Sequence, residues 1–222
     1  MFRPLKVTAL AVAAAFGLLA CGQGQPSSQT SSPAPSASAS ATASKAADLR
    51  VKLDYLLGEH LILASKATSA ALGGRGDEFN AYAGLLNQNG TELGAMIGTA
   101  YGSDAESKFN QIWSAHNGFF VDYTTGVAKK DQGTQQKAVG DLSSTYVPQF
   151  SDFISGATGL PRDTVATLTK QHVLTTKDVV DAQGAKDFKS SAQKDRTAAQ
   201  HMEMIGDPLA AAIVQKLPQR FS

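Results

Sequence analysis

Apolar side chains recur three and four residues apart through most of the chain beyond Asp48, and no stretch alternates as a half-buried strand would. The clearest case is Phe109 to Val127. Phe109, Ile112, His116, Phe119 or Phe120, Tyr123 and Val127 share one face, with a histidine at its centre where an apolar residue is expected. The pattern predicts an all-α body. A first helix spans about Asp48 to Leu72, with Leu49, Leu53, Leu56, His60, Ala64, Ala67 and Ala71 inward, and ends at Gly73-Gly74-Arg75-Gly76. A second runs from about Asp77 to Tyr101. Ser103 and Glu106 have the spacing of a capping box opening the third. After Asp131-Gln132-Gly133, a fourth helix covers about Thr134 to Ser155, with a kink or local break expected at Pro148. Pro161 suits the first turn of a fifth helix reaching about Gln183. A sixth extends from about Ala185 to Ile205, and Asp207-Pro208 is expected to restart a short last helix.

These helices fall into a repeat. His60, His116 and His172 are 56 residues apart, and the same step aligns Leu53 with Phe109 and Val165, Leu56 with Ile112 and Leu168, and Ala67 with Tyr123 and Val179. In the even helices it aligns Leu86 with Leu142 and Ala198. The expectation is a six-helix bundle or short array built from three tandem helical hairpins, over about 48–104, 105–160 and 161–222.

The first 47 residues have a different character. Arg3 and Lys6 precede an uncharged Ala/Leu/Val run from Val7 to Ala20, the layout of a secretory signal peptide over residues 1–20. Leu18-Leu19-Ala20-Cys21 resembles the bacterial lipobox. That resemblance implies cleavage before Cys21, lipidation of its thiol with palmitate-type acyl chains, and anchoring in a lipid bilayer. Cys21 is the one cysteine, so the body has no internal disulfide. Residues 22–47 are Gly, Gln, Pro, Ser, Thr and Ala with a single lysine, a composition read as a disordered tether reaching roughly 30 Å. The expected location is extracytoplasmic, on the periplasmic face of an outer membrane or the cell surface.

Composition narrows the partners. Lys plus Arg is 20 and Asp plus Glu is 19, which argues against a nucleic-acid surface. The candidate chemistry lies in the histidines His60, His116, His172 and His201. Either each bonds within its own hairpin, to groups such as Thr91, Ser143, Thr145 or Tyr146, or the repeated three converge on a zinc or copper ion. In the second case His201 is a candidate fourth ligand. Met96, Met202 and Met204 are candidate soft ligands that would bias the site toward copper(I).

No HExxH helix, P-loop, GxSxG elbow or Cys-x-x-Cys-His is present, and no Glu-x-x-His pair of a di-iron bundle. Leu57-Gly58-Glu59-His60, Phe119-Phe120-Val121-Asp122-Tyr123 and His201-Met202-Glu203-Met204-Ile205-Gly206-Asp207-Pro208-Leu209 resemble a group of secreted bacterial helical proteins. The resemblance implies a secreted helical domain and assigns no activity. No tyrosine has the Thr-x-x-Asn-Tyr-Asp/Glu context of a copper amine oxidase quinone. The expectation is a non-enzymatic, lipid-anchored helical binding module for a protein or small-molecule ligand, with metal binding and a purely structural envelope role as alternatives.

Overall fold

The computed structural model describes residues 37–221. They are helical almost throughout, with no strand among the described residues: α1 Ala37–Leu72, α2 Gly76–Tyr101, α3 Ser103–Lys129, α4 Gln132–Asp141, a π-helical turn Leu142–Tyr146, α5 Val147–Thr158, α6 Arg162–Gly184, α7 Phe188–Lys216 and α8 Pro218–Phe221. The all-α fold read from the periodicity is the one observed. The signal peptide, Cys21 and tether residues 22–36 lie outside the described residues.

Helices α1, α3 and α6 touch one another and form the inside of the bundle. The intervening segments pack around them. Helix α2 contacts α1 and α3, the α4–π–α5 segment contacts α3 and α6, and α7 contacts α6 and α1. The hairpin arms therefore alternate between inner and outer positions. Because α1 is covered by α2, α3, α6 and α7, its burial extends beyond one stripe, to Leu57, Leu61, Leu63 and Ala70.

Several boundaries differ from expectation, each for a local reason. Helix α1 begins at Ala37, so residues 37–47 are helical and not part of a disordered tether. That segment is rich in alanine, the best helix former, and adds one hydrogen bond per residue once the helix beyond Asp48 has nucleated. The capping box does not form. Gly102, at φ 94°, is the N-cap of α3, and no side chain caps it. A φ in this region suits glycine and lets a single residue join α2 to α3. Pro161 caps α6 from outside the helix, which starts at Arg162.

Helix α7 does not restart at Pro208 but runs through it. Arg50 of α1 holds Asp207 with two donors, at 2.6 and 2.5 Å, and Gly206 lies against Asp54 and Leu57. Docking thus maintains the helix across the missing N–H. Met204, whose carbonyl loses that donor, is 59% exposed, so water can satisfy it. The break expected at Pro148 does occur. It takes the form of the π-helical turn just before it, which closes with the Val147 N–H on the Leu142 carbonyl and relieves the clash a proline ring makes in a regular helix.

Helix α2 meets α3 through a glycine row. A Cβ added at Gly90, Gly94 or Gly98 would run into Trp113, Asn110 and Glu106 respectively. At Gly90 the obstacle is the Trp113 ring, 2.8 Å away, itself fixed by neighbouring rings, whereas Gly84 has open space. Gly84→Ala is therefore expected to stabilise the fold by up to about 1 kcal/mol through helix propensity. Gly90→Ala is expected to lose that gain to overpacking costing about 1–3 kcal/mol. Urea midpoints moving in opposite directions would bear this out, and equal upward shifts would refute the close α2–α3 contact.

Candidate metal centre

His60 on α1, His116 on α3 and His172 on α6 come together inside the bundle. One ring nitrogen from each lies within 4.8 Å of the others. The ring centroids are 5.4 Å apart for His60–His116, 6.0 Å for His60–His172 and 5.8 Å for His116–His172. Their exposures are 2%, 1% and 4%. Each inner helix thus contributes one imidazole to a common layer. Three nitrogens around a tetrahedral ion at about 2.0–2.1 Å are roughly 3.3 Å apart, so small rotations of the rings inward would complete the contact.

Aromatic side chains hold the layer. Trp113, one turn before His116, has its ring 4.7 Å from His60 and 5.2 Å from His116. Tyr146, carried on the π-helical turn, stacks on His116 at 4.5 Å, and Phe120 meets it edge-on at 5.5 Å. These packing partners were not legible as such in the sequence. The available signals were the chain's one tryptophan standing three residues before His116, and the proline that sets the π-turn bearing Tyr146.

Most of the imidazole nitrogens lack a well-formed hydrogen bond. Nδ1 of His60, both nitrogens of His116 and Nδ1 of His172 are buried without a partner among the described residues. Thr91 spends its hydroxyl on the Asn87 carbonyl, and Tyr146 stacks on His116 instead of bonding to it. His201 is different. It is buried beside the group, but its Nε2 lies 2.9 Å from the Leu168 carbonyl, which joins α7 to α6, and it is outside the converging set. Met204 is exposed, while Met96 and Met202 border a separate apolar pocket of about 40 Å³ that His172 also touches. Among the histidine, cysteine and carboxylate groups of the described residues, three imidazoles make up the converging set, and buried Met202 lines the pocket that His172 touches.

Burial pushes all three histidines toward the neutral form, and their mutual repulsion adds to it. His60 is lowered to about 3 and His172 to about 4, the latter also feeling His201. His116 is lowered well below the usual range by burial, then by His60 and His172, with the Trp113 backbone and Asn117 acting weakly the other way. No carboxylate acts on any of them among the described residues. Neutral imidazoles are the form that binds a metal, so a cation at neutral pH would displace no protons here.

A cavity of about 250 Å³ borders all three rings. It lies against α1, α2, α3 and α6, and Ala64, Ala67, Ala71 and Ala83 keep it open while Phe79 and Leu86 contribute apolar wall. The three-histidine layer is thus buried yet adjacent to space.

No family model, curated protein or solved structure matches the chain.

The histidine layer has a sign-definite consequence for the metal-free protein. Unfolded histidines take up protons as pH falls through about 6.5, whereas the folded ones stay neutral until far lower pH. Stability is therefore full above the unfolded value and lost on acidification, by at most about 1.4 kcal/mol per pH unit for each histidine. Urea midpoints of EDTA-treated protein between pH 7.5 and 5 are expected to fall steeply. His116→Leu should reduce that slope by about one proton, and should raise stability at pH 7.5 by about 1–3 kcal/mol because it removes two unpaired buried nitrogens. A destabilised leucine variant would mean that His116 serves the fold.

Proposed function

We propose that this chain is an extracytoplasmic lipoprotein whose helical body binds one transition-metal ion, zinc or copper, through His60, His116 and His172. The observation carrying this reading is the meeting of three buried imidazoles, four of whose six ring nitrogens are buried without a hydrogen-bond partner among the described residues. Buried polar atoms are nearly always satisfied, and leaving several of them unpaired in one layer is costly for a purely structural core. A metal ion would satisfy one nitrogen of each ring at once. Imidazole donors suit zinc and copper.

The site is a binding centre in this reading and not a catalytic one. General acid–base chemistry needs a titrating partner near the reacting atoms, and no carboxylate influences the three histidines among the described residues. The lipobox-like Leu18-Leu19-Ala20-Cys21 supports a membrane-anchored form, with the body displayed beyond the bilayer. Among the described residues no helix is long and apolar enough to cross a membrane. The repeated placement of His60, His116 and His172 on α1, α3 and α6 supports descent of the three hairpins from one ancestral unit, with the ligand carried in each copy.

Metal analysis of the full chain in detergent tests the reading. The expected result is one zinc or copper ion per chain after loading and desalting, with a raised melting temperature. Both are lost in His116→Leu, even though that variant is the more stable metal-free protein. Equal metal retention by wild type and His116→Leu would place the ion elsewhere and refute the site.

A further inference from the structure

The three donors leave any bound divalent ion incompletely served. They are neutral, and no carboxylate offsets the charge of a cation placed among them. A doubly charged ion in a buried, largely apolar layer is costly unless an anion accompanies it. Zinc and copper(II) also take a fourth donor, and a site with three protein ligands keeps that position for an exogenous group. The space for such a group exists: the cavity of about 250 Å³ borders His60, His116 and His172 together and is larger than the share of volume of several water molecules, roughly 30 Å³ each.

A second observation comes from the threonines. Thr124, Thr158, Thr169 and Thr175 are buried in helices, and each donates its hydroxyl to the carbonyl one turn back. Buried Thr68 donates to the Ser65 carbonyl and Gln183. Thr176 does neither. It is 6% exposed, its Oγ1 has no partner among the described residues, and it borders the same cavity one turn beyond His172. A helical threonine normally has a carbonyl within reach, so an unused buried hydroxyl beside a candidate metal centre is a donor in waiting. Threonine can donate one O–H bond to a group occupying the cavity while the metal holds that group from the other side.

We propose that the cavity receives a small monoanion as the fourth ligand of the metal, with the Thr176 hydroxyl donating a hydrogen bond to it. Hydroxide, azide and nitrite share the needed chemistry: one negative charge, a lone pair for the metal, and a size the cavity admits. The anion reduces the net charge of the buried centre by one and gives Thr176 its partner. This inference rests on the three-histidine metal site, and it makes the site an open, ligand-accepting centre instead of a closed structural one.

The test uses azide as the probe on the full chain in detergent loaded with copper(II), whose azide complexes show a ligand-to-metal charge-transfer absorption. Azide is expected to bind one per copper with a saturable new band. Thr176→Val, nearly isosteric, is expected to weaken azide by about tenfold, the effect of one lost hydrogen bond to a charged group, while copper affinity stays unchanged. Ala67→Leu, which narrows the cavity, is expected to weaken azide further with copper still bound. Failure of copper(II) to bind the wild-type chain would overturn this inference, and failure of zinc to bind as well would overturn the metal reading with it. Stoichiometric copper lost in His116→Leu, but without a saturable azide band, would overturn this inference alone. Azide binding unchanged in both Thr176→Val and Ala67→Leu would place the anion outside this cavity and refute the assignment as well. If Ala67→Leu fails to fold, the Thr176→Val comparison decides.

Discussion

Everything in this bundle accommodates a layer of three neutral imidazoles in the interior. Each is almost fully buried, and most of their nitrogens lack a protein partner among the described residues. Such a layer would be unfavourable if the rings merely filled space. It is held by Trp113, Tyr146 and Phe120, which pack the imidazole edges and faces without offering them a strong acceptor. The aromatic contacts fix ring positions, and burial keeps the rings deprotonated. A site that must bind a cation needs both features, since a protonated imidazole repels the ion and a mobile one costs entropy to order.

The scaffold around the layer serves the same end. Gly90 on α2 leaves room for the Trp113 ring, which lies against both His60 and His116. The π-helical turn ahead of Pro148 carries Tyr146 onto His116. His201 ties α7 to the Leu168 carbonyl of α6, so the fourth histidine acts as a strut behind His172 and not as a ligand in the converging set. Small side chains along α1, where larger residues would have filled the core, leave the cavity beside the rings. Packing density is given up next to the converging set of three histidines.

Local rules read the helices well and their ends less well. Spacings of three and four fix which residues face inward whatever the neighbours are, so the inward faces of α1 and α3 could be read before any packing was known. Boundaries depend on competition between local and tertiary terms. Pro208 is a helix breaker by its own chemistry, yet the Arg50–Asp207 pair and the close fit of Gly206 on α1 keep α7 continuous. Ala37 to Ala47 has a disordered-looking composition, yet it extends α1 because alanine propagates an existing helix at little cost.

The amino-acid sequence by itself determined the helical class and the inward faces on which His60, His116 and His172 stand. Both follow from periodicity along one chain. Tertiary structure alone decided whether these histidines meet, because that depends on α1, α3 and α6 sharing an interior at the same level. It also decided that Met204 faces solvent, that His201 bonds to a backbone carbonyl, and that Thr176 alone among the buried threonines keeps an unused hydroxyl beside the cavity. The physical reason is that a spacing fixes the direction of a side chain about its own helix axis, whereas distances between helices are set by the side chains packed between them.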